Sequence, residues 1–246
     1  MAYRYATERA DHSDLASGRV FRSAPGYPGF PVRLADELFQ RAAAYAGDRP
    51  IALWDPCCGS GHLATAVGLL HRDRLSRVLA TDADDAAAGL AARNLELLTA
   101  EGLAAREREL RADADRFGKP SFLDRAAAAR RLSGRLAAMG GDLPRAVRTG
   151  DAFAPEPPGP VDVVLTDVPY GDLSHWSGRL PEGDPVPALL RALAAVLPGG
   201  AVIAVAARTR KVALPEGTAA LERMRAGNRA AVLVRAGDLR GGPGRT

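Results

Sequence analysis

Cysteine is almost missing from this sequence. There are two, and Cys57 and Cys58 are neighbours. Adjacent thiols build no disulfide framework and offer no zinc-ligand spacing, so no metal is expected. Lysine is equally scarce: Lys119 and Lys211 stand among 33 basic residues, and the rest are arginine. A genome rich in G and C produces that bias, together with the heavy use of Ala, Gly and Pro. The arginine fork also suits phosphate and guanine edges better than an ammonium does. Long apolar runs are lacking too. None approaches the ~20 residues that cross a bilayer, and the stretch from Met1 to Asp14 has no apolar core of a signal peptide. These absences predict a soluble, cytoplasmic protein with no membrane partner. There is no strong charge of one sign either. The net charge of +4 is compatible with nucleic acid and does not establish it.

What is present is the alternation of an α/β protein. With 246 residues and a 47% apolar share, the chain has room for a single domain with its own core. Residues 1–31 read as an arm, and Pro25, Gly26, Pro28, Gly29 and Pro31 make its end irregular. An amphipathic helix follows over 32–45, closing an N-terminal section of 1–46. Next come a strand (51–54), a glycine turn, a helix (62–72), a strand (78–81) and a helix (85–98). Residues 99–142 interrupt this order as an inserted helical pair, with a break at 118–121 and Ser121 as the expected cap of its second helix. Strands are then predicted at 146–149, 161–167 and 201–206, with a helix over 186–197. The last unit is read as a helix over 218–225 followed by a strand at 230–235, and 241–246 as a flexible tail. The fold predicted is a doubly wound, mostly parallel sheet of Rossmann-like type.

Two segments carry chemistry. In Asp55-Pro-Cys-Cys-Gly-Ser-Gly61 the glycines allow a tight turn and close approach to a ligand at a helix start. Asp82 ends the next strand, where a carboxylate can accept both hydroxyls of a ribose. The third glycine of a dinucleotide loop is missing, and Asp55 repels phosphate while attracting an ammonium. S-adenosyl-L-methionine is therefore preferred over a nicotinamide cofactor. Cys57 and Ser60 belong to the same cofactor loop, with the cysteines as small fillers and not nucleophiles. Asp84 reads as a helix cap or a second cofactor contact. Asp151 is an adenine contact or a plain turn residue.

The second segment is Thr166-Asp-Val-Pro-Tyr-Gly171, directly after a buried strand. It is similar to the (D/N)-P-P-(Y/F) motif of methyltransferases that act on base nitrogens, with Val168 in place of the first proline. Asp167 and the carbonyls beside Pro169 can accept a base N–H, and Tyr170 can stack on the base. His175 and Trp176 could flank that base or simply pack. Arg208, Arg210 and Lys211 lie on the same sheet edge and suit RNA phosphates. Arg125, Arg130, Arg131 and Arg135 form a second basic set, read as a solvated helix face.

On these motifs the chain resembles one family along nearly its whole length, the AviRa avilamycin-resistance rRNA methyltransferases. The telling segments are Asp11–Leu15, Ser23–Arg33, Leu53–Gly61, Arg116–Ser121 and Val164–Gly171. The resemblance implies a class I S-adenosylmethionine methyltransferase acting on one guanine of 23S rRNA in the peptidyl-transferase region. N1 is favoured over N2, and orthosomycin resistance is the expected result. It places Asp55, Gly59, Gly61 and Asp82 at cofactor positions, and Asp167, Pro169 and Tyr170 at the catalytic motif. A monomer working on 23S rRNA or the large ribosomal subunit is expected. The alternatives are an adenine N6 or protein-amide methyltransferase, a non-catalytic RNA-binding protein of the same fold, and, least favoured, a nicotinamide reductase.

Overall fold

The computed structural model describes residues 3–240 apart from 9, 170–175 and 177–181. Its centre is a seven-stranded sheet, ordered β3-β2-β1-β4-β5-β7-β6. The strands are β1 (Ile51–Asp55), β2 (Leu75–Asp82), β3 (Arg145–Thr149), β4 (Val163–Asp167), β5 (Val202–Ala207), β6 (Glu222–Ala226) and β7 (Arg229–Arg235). Strands β1 to β5 are parallel, and β7 runs antiparallel to both β5 and β6. Every residue of β1 and β5 is buried, as expected of strands covered on both faces. One apolar cluster fills each face of the sheet. The order reverses between β1 and β4, where open α/β sheets place their ligand crevice.

The helices are α1 (Val32–Ala46), α2 (His62–Leu70), α3 (Asp85–Leu95), α4 (Ala100–Phe117), α5 (Pro120–Ala138) and α6 (Pro185–Val196). The inserted pair is thus α4 and α5, packed antiparallel. The cap expected at Ser121 is not used. Lys119 occupies the N-cap and Pro120 starts the helix, so Ser121 falls within the first turn. The helix expected over 218–225 is also corrected. Residues 222–226 form β6, which turns through Gly227 (φ +59°) and Asn228 into β7. The Gly-Asn pair at 227–228 is a two-residue hairpin signal, and it prevails. The tail at 241–246 lies outside the described residues. No described helix is long and apolar enough to cross a membrane.

The arm is held by buried polar contacts. Glu37 on α1 is fully buried and accepts the N–H groups of Arg4, Tyr5 and Ala6 at 2.7–2.8 Å. Its own charge is matched by Arg41, which also pairs with Glu222 on β6. Further along, the buried Asn94 side chain accepts from Arg22 N–H and donates to the carbonyls of Arg22 and Ser60. That amide ties the arm to the glycine loop. The intervening residues 25–30 are thereby laid across the carboxyl ends of β1 and β2.

Candidate active site

A cleft of about 470 Å³ opens at the topological switch point. Its floor is the loop from Asp55 to Ser60, its far wall Asp82 to Asp84, its near wall Asp167 to Pro169, and its roof residues 25–28 and Phe30 of the arm. Asp151, Phe153 and Trp176 close one side.

The loop geometry explains its glycines. Gly59 (φ +52°) donates its N–H to Asp82 Oδ2 at 2.8 Å. Gly61 (φ +72°) caps α2, and a Cβ there would lie 2.9 Å from the Leu95 side chain and 3.0 Å from Ala91. A side chain at Gly61 would push α3 away from the loop. Asp82 also accepts the Asp84 N–H at 3.0 Å, and burial raises its carboxyl. These backbone donors fix it in place on the wall of the cleft.

Asp55 is 1% exposed. Its Oδ1 accepts the Thr166 hydroxyl at 2.8 Å and, at 3.4 Å, the Cys57 N–H. Burial pushes its carboxyl up to about 7, with repulsion from Asp82 and Asp167 adding to the effect. Such an acid is short of a cation. Cys57 and Cys58 are raised by burial as well, so both stay thiols and neither is an activated nucleophile. Ser60 is buried and reaches Asn94 through its carbonyl. Asp84 caps α3 by accepting the Ala86 N–H at 2.8 Å, and its other oxygen accepts the Tyr27 hydroxyl at 2.5 Å. The arm is latched to the cleft rim there. The Tyr27 phenol is pushed up to about 12, chiefly by that bond. Asp151 accepts the Phe153 N–H at 2.8 Å, and the Phe153 ring lies 5.1 Å from that of Trp176.

Asp167 ends β4 with a partner of its own. Arg229 Nη1, at the start of β7, donates to both carboxylate oxygens at 2.8 Å. Arg229 is 4% exposed, and its guanidinium sits 4.9 Å from the centre of the Phe30 ring. Burial pushes the Asp167 carboxyl up, to about 6, while Arg229 and the more distant Arg208 pull it down. Pro169 lines the cleft beside it; Tyr170 and His175 lie outside the described residues. Arg208, Arg210 and Lys211 are exposed in the segment after β5, outside the cleft lining. The second basic set divides. Arg130 pairs with Glu107, Arg131 with Asp14, and Arg135 with the Leu70 carbonyl, whereas Arg125 lies over the Phe122 ring.

A family model described as rRNA methyltransferase AviRa matches residues 1–229. The chain belongs to the AviRa family. A relative from Streptomyces viridochromogenes, a 23S rRNA (guanine(2535)-N(1))-methyltransferase, is 57% identical over 98% of this chain and 99% of its own. The solved structure of AviRa from that organism superposes with a TM-score of 0.90 at 56% identity, covering 97% of this chain and 98% of that one. The YhhF protein of Escherichia coli has a TM-score of 0.50 at 16% identity over 87% of this chain and 90% of its own, a likeness of fold alone. A class I methyltransferase fold and enzymatic methyl transfer are therefore family properties of this chain.

Four residues in or beside the cleft were given no role by the sequence. Arg229 is remote from Asp167 in the chain and sat in a segment not credited with a role. Phe30 and Tyr27 sat in a stretch read as irregular chain and as part of the family resemblance, with no role assigned, although two aromatics amid Pro-Gly steps signal a loop held against something. His62, the first residue of α2, is buried in the cleft wall. Its ring faces the Leu15 backbone, and burial lowers it to about 4.

Proposed function

We propose that this chain methylates N1 of a guanine in 23S rRNA, with S-adenosyl-L-methionine as donor, and thereby confers orthosomycin resistance. One observation carries the reading. An acid short of a cation (Asp55), a tethered acid at the end of β2 (Asp82) and an acid already holding its own cation (Asp167) line the same cleft.

The donor fits the first two. Asp55 suits the ammonium of the methionine half, and Asp82 suits the ribose hydroxyls. The bound donor supplies a methyl group activated by a sulfonium, so no metal is needed. The work left to the chain is positioning and one proton. Asp167 accepts guanine N1–H and removes that proton, which leaves the N1 lone pair in the ring plane. A carboxyl near 6 is mostly ionised at neutral pH and still basic enough to take it. Arg229 keeps the carboxylate ionised and fixes its orientation. Phe30, stacked on Arg229, gives the base an apolar wall. Tyr170 follows Pro169 in the chain and is assigned to stack on the base after it leaves its helix. Arg208, Arg210 and Lys211 are assigned to phosphates beside the target nucleotide. The chain is taken to work as a monomer.

The test is methylation of 23S rRNA with labelled donor, followed by primer extension. A methyl on N1 blocks pairing and gives a strong stop at one guanine. Label without a stop, or label on adenine or on ribosomal protein, would refute the N1 assignment.

A further inference from the structure

The α4–α5 hairpin supplies none of the described residues of the cleft, yet it is built towards it. Its base is fixed at the amino ends of the strands. Asp142 Oδ1 accepts the Ala100 N–H at 2.8 Å, Leu143 N–H donates to Leu98, and Pro144 accepts from Val78 where β3 begins. The arm marks the height of each helix. Arg106 on α4 donates to the Val20 carbonyl, and Arg22 pairs with Glu109. Arg22 is the residue that Asn94 ties to the glycine loop. Glu109 therefore stands near the level of that loop, and from Glu109 to Phe117 the helix climbs roughly 12 Å more. On α5, Arg131 pairs with Asp14, next to the Leu15 backbone that faces His62 at the start of α2. From there to Pro120 is roughly 16 Å. Both helices place the tip beyond the glycine loop, on the sheet edge that carries the cleft.

The tip is chemically unusual. Among the described residues, the exposed large apolar side chains are Phe117 (52%) and Leu123 (49%), and both are here. Phe117 stacks on Phe122, with ring centres 5.9 Å apart and planes 29° apart. Arg116 lies over the Phe117 ring at 5.0 Å and Arg125 over Phe122 at 5.1 Å. Gly118 (φ +62°) and Pro120 at the helix start make the turn short and stiff, so the pair is held ready.

We propose that this tip is a second RNA contact, separate from the base pocket. Phe117 stacks on an unpaired base of the target rRNA, while Arg116, Lys119 and Arg125 hold the phosphates around it. The inference rests on the reading of the chain as an rRNA enzyme. Asp115 and Asp124 share the tip, so stacking, more than net charge, sets the affinity. Two rings and one leucine fall well short of the ~800 Å² that each partner of a stable protein interface buries.

The test is a Phe117→Ala/Phe122→Ala double variant. Its affinity for a 23S rRNA transcript is measured by gel shift, its KM on large subunits by label incorporation, and its donor affinity by calorimetry. RNA dissociation constant and KM should rise roughly five- to a hundredfold, the range of one lost base stack. Donor affinity, kcat and melting temperature should hold, and Phe117→Trp should bind RNA at least as well as the unaltered chain. An unchanged RNA affinity would overturn the proposal. So would a defect seen only on subunits, which would assign the tip to a ribosomal protein. Absence of methyl transfer by the unaltered chain on either substrate would refute the rRNA reading itself; normal transfer with unchanged RNA affinity sinks the tip alone.

Discussion

Asp55 and Asp167 end neighbouring parallel strands and face one cleft, yet their surroundings are opposite. Asp55 has a hydroxyl and a distant amide for company, and burial holds it near 7. Asp167 has a buried arginine across both oxygens and sits near 6. In the proposed function the first is completed by a cationic ligand. The second already has its cation and is left, on the same proposal, to accept hydrogen bonds from a neutral base. One residue type at equivalent strand ends would then serve donor and acceptor, and the difference lies in what the rest of the fold brings to each.

The sharpest way to break this comparison is to remove the acceptor acid. Asp167→Ala should lower kcat by roughly 10²–10⁴-fold, the usual worth of a positioned base. Donor affinity by calorimetry should stay within about threefold. Normal turnover would remove Asp167 from the chemistry.

The next effect tests the cation. In Arg229→Met the Asp167 carboxyl loses the group that lowers it and rises further. The acid limb of the pH–rate profile should then move to higher pH, with a rate loss of roughly tenfold or more at pH 6 that narrows by pH 8.5. Asp55 and Arg208 also act on this region, so Asp55→Asn is the control. Breaking a buried pair also costs about 3–5 kcal/mol of stability, to be followed by melting. An unmoved limb would make Arg229 a purely structural partner.

The smallest effect lies on the donor side. A proton on Asp55 competes with the ligand ammonium. Affinity for S-adenosylhomocysteine should therefore weaken as pH falls below about 7, by up to tenfold per unit, and Asp55→Asn should flatten that dependence. A pH-independent affinity in the unaltered chain would show that Asp55 does not hold the ammonium.

The half of the cleft proposed for the donor was legible because it is local. Asp55 to Gly61 is a single turn, and Asp82 follows at the end of the next strand, so spacing alone gave both candidates. The hairpin insertion was legible for the same reason, since Gly118 and Pro120 punctuate two helical runs. The acceptor half was only half visible. The motif from Thr166 named Asp167, but its partner comes from β7, and that strand pairs with a β6 first read as helix. The arm showed its Pro-Gly steps and hid its purpose, because laying Phe30 on Arg229 and Tyr27 on Asp84 depends on the buried Glu37 and Asn94 anchors. No periodicity announces a buried polar anchor. The tip at Phe117 was seen as a break and given no role, because exposure is a property of packing.

A crystal structure with S-adenosylhomocysteine bound tests the shared cleft most directly. The ligand's amino group should lie within hydrogen-bonding distance of Asp55 and its ribose hydroxyls within reach of Asp82, with the sulfur facing the Asp167–Arg229 pair. A ligand seated elsewhere, or with its sulfur turned away from Asp167, would contradict the account.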